Sequence, residues 1–263
     1  MRERIDIRRF PGARGAAWLL LLFLYAPVVV LVALSFNAGR TAAIWEGFSP
    51  RWYGVALDNK DILRAAQNSL VVAGAATLAS TLLAAAAAVG MARRRFPGQD
   101  AVNATLALPL VIPEIITAVA TLLFFNVVGF ELGLTSVIVA HTVFCLPFAY
   151  LPIRARLDGM DRRLVEAAGD LYADPIRAFR RVTLPLLWPG ILSGAMLAFI
   201  ASLDDFLVAY FVAGPGSTTL PVYIFGMTRV GTSPEVNAIS TLILGVSIVT
   251  VSLSFLIARV RAR

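Results

Sequence analysis

The sequence predicts an all-α integral membrane protein with six transmembrane helices and both termini in the cytoplasm. The first observation is composition. Of 263 residues, 59% are hydrophobic and 15% are charged, against about 45–50% and about 25% in soluble domains. The second is that the apolar residues form long uncharged runs near the roughly 20 residues that cross a bilayer core. The third is the one-sided placement of the basic residues. A single aqueous core is excluded.

Six apolar runs, bounded by Pro, Gly or Arg, are predicted to span the membrane. Arg-rich sequence precedes the first run, as in a signal peptide. That run is longer than a typical h-region and no small-residue cleavage site follows it, so we expect a retained helix. The predicted spans cover residues 17–36, 65–91, 104–127, 135–153, 188–212 and 235–258.

Particular residues support the later spans in turn. The second contains the run Ala84 to Ala88, and small residues let helices approach closely in lipid. Pro109 and Pro113 interrupt the third. The fourth holds Cys145, the single cysteine, so no intrachain disulfide is possible. Ser233-Pro234-Glu235 is a helix-start signal for the sixth.

The net charge of +7 comes from 22 Arg and one Lys against 16 acids. In a soluble chain it would suggest an acidic partner. However, 18 of the 23 basic residues fall on one side of the predicted spans, and the positive-inside rule makes that side cytoplasmic. We therefore expect no nucleic-acid partner. The predicted organisation is a cytoplasmic tail at 1–16, a transmembrane domain at 17–258 and a cytoplasmic tail at 259–263.

The cytoplasmic loop at 155–187 is predicted to form two short amphipathic helices. Asp161 fits the N-cap of the first, and Asp174 followed by Pro175 fits the N-cap and first turn of the second. Because something must cover the apolar stripes, the loop either folds back on the membrane helices or inserts into a partner's groove. The stripes consist of Leu164, Ala168 and Leu171 on the first helix and Ile176, Phe179 and Val182 on the second.

Three acids are predicted to lie within spans: Glu114, Asp204 and Asp205. Each costs about 2.5–3.5 kcal/mol at a helix centre, so each should face a cavity or a partner. Glu114 follows two prolines that free backbone carbonyls, and carboxylates with bare carbonyls suit an oligocation. The alternative is structural pairing or helix capping. On one continuous helix Asp204 and Asp205 project about 100° apart, so at most one faces a pathway.

The aromatic residues and the only histidine each have a structural and a functional interpretation. Phe199, Phe206 and Tyr210 form a stripe at helical spacing, which can hold a cation but is more often packing. His141 has no second metal-type ligand at a useful spacing, so we expect a hydrogen-bonded packing residue rather than a metal ligand. Its titration near neutrality would permit proton coupling.

Two outer loops are sizeable. Residues 37–64 contain Trp45, Trp52 and Tyr53, which are typical either of an interfacial aromatic belt or of contact with a substrate-delivery protein. In the last loop, 213–234, the residues Gly214-Pro215-Gly216 predict a turn. The apolar residues after that turn predict a short helix on the membrane surface.

The cytoplasmic loop also carries a motif. Residues 166–168, Glu-Ala-Ala, are followed at the right distance by 182–185, Val-Thr-Leu-Pro. This pattern resembles the E-A-A-x-x-x-G-x9-I-x-L-P loop of ATP-binding-cassette (ABC) importer permeases. The resemblance implies a type I ABC importer permease fold, in which this loop docks into an ATPase subunit. The residues that would carry the coupling role are Glu166, Ala167, Ala168, Leu184 and Pro185.

Two positions depart from that motif. Val182 replaces Ile, which is a mild change, and Tyr172 stands where the family has Gly. A turn glycine usually serves a positive φ or a close backbone approach, and Tyr does neither easily. Either the turn is reshaped, with Gly169 relieving it, or the ATPase groove differs.

Further stretches extend the resemblance over roughly residues 15–258. Residues 108–116, 140–147, 202–206 and 213–221 are similar to the spermidine/putrescine permeases, and residues 233–245 are most similar to the putrescine permease. The resemblance implies a multi-pass protein of the bacterial cytoplasmic (inner) membrane. Its implied partners are a second related permease, a cytoplasmic ATPase dimer that binds ATP and Mg, and a periplasmic polyamine-binding protein. No cofactor is implied for this chain itself.

The expected function is polyamine transport, with Glu114, Asp204, Asp205, Phe206 and Tyr210 along the substrate pathway. The chain has no G-x-x-x-x-G-K-S/T phosphate loop and no combination of nucleophile, general base and oxyanion-stabilising group. We therefore expect that this chain is not itself an enzyme. One rival keeps the machinery and carries iron, sulfate or an amino acid; an anion would favour Arg and helix N-termini in the pathway. A second rival is an ion-coupled secondary transporter using Glu114, Asp204 and His141, which leaves the E-A-A loop unexplained.

Overall fold

The computed structural model describes residues 12–42, 44–93, 96–161, 163–230 and 234–261. Regular structure in them is helical, apart from one isolated antiparallel bridge between Asn37 and Phe48. A 3-10 turn occupies Leu108–Leu110, and a π-helical segment occupies Phe179–Thr183. The α-helices are α1 Ala13–Leu34, α2 Arg51–Asp58, α3 Lys60–Arg93, α4 Gln99–Ala107, α5 Glu114–Val128, α6 Leu134–Asp158, α7 Arg163–Asp170, α8 Pro175–Ala178, α9 Leu184–Asp204, α10 Leu207–Val212, α11 Leu220–Val230 and α12 Pro234–Arg261.

Four helical stretches in the described residues are long and apolar enough to cross a membrane. They are Arg14–Leu34, Lys60–Ala92, Leu134–Asp158 and Pro175–Asp204. Gln99–Leu110 and Glu114–Val128 form a pair bent by 105°, which is a fifth if the pair makes one span. In α12 the apolar stretch found is shorter, Pro234–Val249. Four or five spans are therefore supported, and six stays a prediction.

The third predicted span is broken where its prolines predict a break. Pro109 lies in the 3-10 turn, and Pro113 is extended, with φ −53° and ψ 129°. Proline lacks an N–H and disfavours the α conformation in the residue before it, so the helical ladder cannot continue across this region. A new helix, α5, begins directly afterwards at Glu114.

The fifth predicted span, 188–212, differs from the structure in its start and in its continuity. Helical structure begins earlier, because α8, the π-helical segment and α9 follow one another without interruption from Pro175. The run is also broken near its C-terminal end. α9 ends at Asp204, Asp205 is extended with ψ 127°, and α10 begins at Leu207. The second half of the predicted loop 155–187 is thus continuous with a membrane helix.

Contacts divide the described residues into two compact units. One comprises residues 60–225 and 247–261, and its core lies where α3, α6 and α9 meet. Ala84 and Ala88, one turn apart on α3, are fully buried there. Gly194 on α9 makes a close approach possible, because a Cβ there would lie 2.5 Å from the carbonyl oxygen of Ala149 on α6. The alanine run therefore serves the close helix packing that the sequence predicted.

The other unit comprises residues 12–59 and 226–246, and a buried asparagine organises its loop after α1. The Asn37 side chain is inaccessible to solvent. Its Nδ2 donates to the carbonyl oxygens of Thr41 and Ile44, and its Oδ1 accepts from the N–H groups of Gly39 and Glu46. One side chain thus satisfies four backbone groups, which fixes the loop without regular structure.

Two of the three aromatic residues predicted for this loop support its own fold. The Tyr53 hydroxyl lies 2.6 Å from the Ser35 hydroxyl, and Trp52 Nε1 donates to the carbonyl oxygen of Gly39. Trp45 is exposed. Of the three, it is the one left for an interfacial belt or a delivery protein.

The last predicted outer loop follows α10. Gly216 has a φ of 76°, which suits the predicted turn, and the Asn68 amide donates to its carbonyl oxygen. The short helix predicted after the turn is α11, whose Leu220 N–H donates to Ser69 Oγ. Its place on a membrane surface stays a prediction. Ser233, the predicted cap of the sixth span, lies outside the described residues.

Candidate functional site

A buried polar cluster joins α6 to the break between α9 and α10. His141, on α6, is completely buried. Its Nδ1 lies 2.8 Å from the Ser202 hydroxyl on α9, and its Nε2 lies 3.2 Å from Oδ1 of Asp205. The prediction of a hydrogen-bonded packing histidine is confirmed. Ser202 was not among the predicted residues; its signal was the i,i+3 spacing to Asp205.

Asp204 and Asp205 have different environments. They lie where α9 ends, just before the break that separates α9 from α10. The Asp205 side chain is 0% exposed, and its Oδ1 also accepts from the N–H of Ala209 in α10. Such a carboxylate competes with the backbone for the helix hydrogen bond, which accounts for a break without Pro or Gly. Asp204 is exposed. The expectation that the helix continues through Asp204 and Asp205 is therefore wrong, whereas the expectation that at most one of them faces a pathway stays a prediction.

Glu114 is brought to the same cluster by the proline break. It is the first residue of α5, it is half-buried, and it lies near Asp205. Asp204 is close enough to act on Glu114 electrostatically. Acids from two separated stretches of chain thus lie near one another, and Asp205 is the one in contact with the histidine. Among the described residues, those of this cluster included, no group of three His, Cys, Asp or Glu is suited to a metal ion.

Aromatic rings pack beside the break. The ring centroid of Phe206 lies 5.3 Å from Tyr210 and 4.6 Å from Phe225 of α11. Phe199 is on α9, before the break, so the predicted stripe is not continuous. Phe225 was missed because it lies outside the predicted spans. Tyr210 is 45% exposed, so its ring face is available to a ligand.

The predicted coupling loop 155–187 has the predicted helix caps. Asp161 accepts from the N–H of Arg163, where α7 begins, and Asp174 accepts from the N–H of Arg177 at the start of α8. That hydrogen bond, with the nearby Arg177 guanidinium, holds the pKa of Asp174 below its usual value. Both helices therefore start where local chemistry predicts.

The turn after α7 keeps a glycine-like conformation at Tyr172. Its φ is 58°, its N–H donates to the carbonyl oxygen of Gly169, and the Ala173 N–H donates to that of Ala168. These two bonds form a Schellman motif, in which the residue at the Tyr172 position is left-handed. The conformation costs a non-glycine residue about 1–2 kcal/mol. The turn is therefore not reshaped, and Gly169 does not relieve it.

The motif residues lie on or beside these elements. Glu166 and Ala167 are exposed, Ala168 is half-buried, Leu184 is half-buried and Pro185 is exposed.

The side chains of the two apolar stripes differ in how far they are exposed. Leu171 and Ile176 are exposed, whereas Phe179 and Val182 are half-buried. Folding back on the chain therefore covers only part of the second stripe.

A family model described as "Binding-protein-dependent transport system inner membrane component" matches residues 8–262. The chain belongs to this family. As a member it is an inner-membrane transport subunit, and the predicted membrane location is confirmed.

Relatives of this transport subunit carry polyamine names. It is 40% identical over 237 residues to "Spermidine/putrescine transport system permease protein PotC" of Escherichia coli strain K12, covering 90% of each chain. It is 42% identical over 245 residues to "Putrescine transport system permease protein PotI" of the same strain, covering 90% of this chain and 87% of PotI. The predicted resemblance to the spermidine/putrescine permeases is confirmed.

Solved structures show the fold of the transport subunit. A chain of the inward-facing MetNI methionine ABC transporter has a TM-score of 0.64 at 23% identity, covering 76% of this chain and 96% of that one. A chain of a bacterial alginate ABC transporter, in complex with an alginate-bound periplasmic protein, has a TM-score of 0.65 at 19% identity, covering 100% and 98%. The predicted all-helical type I ABC permease fold is confirmed, apart from the number of spans and the side of the termini.

Proposed function

We propose that this chain is the permease subunit of an ATP-driven ABC importer for putrescine or spermidine and forms half of the translocation pathway. Family membership and the names of PotC and PotI support the machinery and the cargo class. The observation that carries the cargo assignment is that Glu114, Asp204 and Asp205 lie at two helix breaks within the apolar stretches of the chain.

The roles of the three acids follow from their surroundings. Carboxylates close together in a low-dielectric region repel one another, and an ammonium group between them offsets this repulsion. Glu114 and Asp204, which are half-buried and exposed, are the proposed ligands of the cargo. Asp205, whose carboxyl group contacts His141 and the N–H of Ala209, is proposed to position the site rather than to bind the cargo. Phe206 and Tyr210 are proposed to add cation–π attraction.

Coupling to ATP is assigned to the cytoplasmic segment. Glu166, Ala167 and Ala168 on α7, with Leu184 and Pro185 at the start of α9, are the proposed docking residues for a separate ATPase dimer that binds ATP and Mg. Closure of that dimer would move the part of the segment from Pro175 onward together with α9, because the two are continuous in helix. The cargo contributes only its differential affinity for the two states.

The complex would contain further subunits. A second related permease is proposed to complete the pathway, and a periplasmic polyamine-binding protein to deliver cargo to the outer loops. A periplasmic protein is bound in the structure of the alginate transporter named above. The proposed topology keeps six spans within 17–258 and cytoplasmic tails at 1–16 and 259–263.

Uptake of labelled putrescine into proteoliposomes containing the full complex tests the assignment. Glu114→Gln and Asp204→Asn are each expected to lower uptake at least about tenfold, because each removes a charge worth about 1.4 kcal/mol or more of cargo attraction. Glu131→Gln is the matched control, since Glu131 is an exposed acid outside the cluster. Size-exclusion chromatography with the partner subunits checks assembly.

Different failures have different meanings. Unchanged uptake by Glu114→Gln and Asp204→Asn contradicts the pathway assignment. Uptake that persists with an inactivated ATPase indicates the ion-coupled secondary transporter instead. A delivery protein that binds iron, sulfate or an amino acid, and neither polyamine, contradicts the cargo and leaves the machinery intact.

A further inference from the structure

The loop that follows α1 is held directly against the end of that helix. α1 ends at Leu34, and the N–H groups of Phe36 and Asn37 still donate to the carbonyl oxygens of Ala33 and Leu34 respectively. The later part of the loop returns to this point, because the ring of Phe48 stacks on that of Phe36 with their centroids 5.3 Å apart. The residues around Phe48 therefore lie within about one helical turn of the end of α1.

The length of α1 places that point at the edge of the bilayer core. The membrane-length stretch Arg14–Leu34 has 21 residues, and none of them is buried by the rest of the chain. At about 1.5 Å per residue this stretch is about 31 Å long, close to the roughly 30 Å thickness of the hydrocarbon core. Crossing the core uses the whole stretch, which puts Leu34 at the boundary between acyl chains and headgroups. The loop packed against Leu34 lies in the same boundary layer.

Three apolar side chains of this loop are exposed at that level. Ile44 is 62% exposed, Trp45 52% and Phe48 72%. Exposed apolar residues grouped in one short loop mark a contact with a partner or with a membrane. Aromatic residues are enriched where a membrane meets water. The three side chains also continue the exposed apolar surface of α1, which is itself suited to lipid.

The backbone of the loop is satisfied internally, which suits surroundings that are poor in water. The buried Asn37 side chain bonds to four backbone groups, as described above. Further hydrogen bonds to carbonyl oxygens close the loop: Ala38 N–H to Gly47, Ser49 N–H to Phe36 and Trp52 Nε1 to Gly39. A loop surrounded by water can leave such groups to the solvent, whereas backbone groups beside acyl chains need partners within the protein.

We propose that the loop organised by Asn37 is a lipid anchor, in which Ile44, Trp45 and Phe48 insert among the glycerol and upper acyl groups of the phospholipids around the end of α1. Asn37 is its positioning residue. The occupant is lipid rather than the delivery protein, because the loop lies at the depth of the helix end and a periplasmic protein approaches from the water beyond it. In the proposed topology this is the outer leaflet. The anchor is independent of the cargo.

The fluorescence of Trp45 in the full complex, reconstituted into phospholipid vesicles, tests the proposal. Subtracting the emission of Trp45→Phe from that of the wild type isolates Trp45. With phosphatidylcholine brominated at the headgroup end of its acyl chains, about half or more of the Trp45 emission should be lost, and aqueous iodide should have little effect. Phosphatidylcholine brominated at the methyl end should quench less. Trp52→Phe is the matched control, because Trp52 is half-buried and bonded to Gly39, so its emission should fall less.

Each contrary result overturns the anchor. If iodide quenches Trp45 and brominated lipid does not, the loop stands in water, and protection from iodide by the delivery protein would assign the surface to that protein. If neither quencher reaches Trp45, another subunit covers the loop. Putrescine uptake by the same vesicles keeps the two proposals apart. Lipid-quenched Trp45 without uptake contradicts the proposed function alone, whereas normal uptake with iodide-quenched Trp45 contradicts the anchor alone.

Discussion

His141 and Asp205 show how one buried pair can decide a local fold. The Asp205 carboxyl group is removed from solvent, lies 3.2 Å from an imidazole nitrogen on α6 and accepts a hydrogen bond from a backbone N–H in α10. Burying such a charge is costly, and the pair offsets that cost only while both partners are present. The pair therefore holds the break between α9 and α10 beside α6, and with it the position of Asp204.

Removing one partner of this pair should destabilise the protein more than removing both. His141→Leu leaves a buried carboxylate unpaired, which is expected to cost about 3–5 kcal/mol, whereas His141→Leu combined with Asp205→Leu should recover at least half of that. Thermal unfolding of the detergent-purified complex measures the difference. Thr142→Val is the control, since the Thr142 hydroxyl bonds only to its own helix. Equal unfolding temperatures for the single and double variants would contradict a stabilising contact between His141 and Asp205.

Helix boundaries in this chain were predictable where one local group sets them. Asp161 and Asp174 cap the helices as predicted, and the two prolines end the α4 region as predicted. The break at Asp205 was not predicted, because the apolar run continues through it and the partner that makes the break stable, His141, is remote in sequence. Local capping chemistry can be read from sequence, whereas a break stabilised across helices requires the fold.

The same distinction applies to the candidate site. The sequence was enough to single out Glu114, Asp204 and Asp205, because a charged side chain inside a membrane span is costly. Which aspartate is enclosed did not follow, because it depends on the backbone turning between Asp204 and Leu207.

The close packing of α6 and α9 depends on a glycine. Gly194→Ala places a methyl group against the backbone of Ala149 and is expected to cost about 1–3 kcal/mol by overpacking. Gly74→Ala on α3 is the matched control, because a Cβ there meets nothing within 4 Å. The control should be neutral or slightly stabilising, since alanine favours helix. Thermal unfolding in the same detergent compares them, and equal effects of the two would show that the helices have room to separate.

For the whole molecule, the fold and the cargo are separable properties. Chains with TM-scores of 0.64 and 0.65 share the architecture at 23% and 19% identity, and they belong to transporters named for methionine and alginate. A common scaffold that accepts such different molecules must place its discrimination in few side chains. In this chain the acids at the two helix breaks are the candidates.

The orientation of the chain can be tested with single cysteines in a Cys145→Ser background. Glu131 lies between the third and fourth predicted spans and Arg163 between the fourth and fifth, and both are exposed. The basic residues predict that an impermeant maleimide labels Glu131→Cys in intact spheroplasts and Arg163→Cys only after permeabilisation. The reverse pattern would invert the topology, and labelling of both in intact cells would contradict an odd number of spans between them.

The π-helical segment Phe179–Thr183 changes the rotation about the helix axis of the residues that precede it. A π turn accommodates one more residue than an α turn, so it is equivalent to a single-residue insertion in the helix from Pro175 to Asp204. One residue corresponds to about 100° of rotation in an α-helix. Every side chain before the insertion is therefore turned by about that angle relative to the membrane helix that follows. The position of Ile176 around the helix axis relative to α9 therefore includes this register shift.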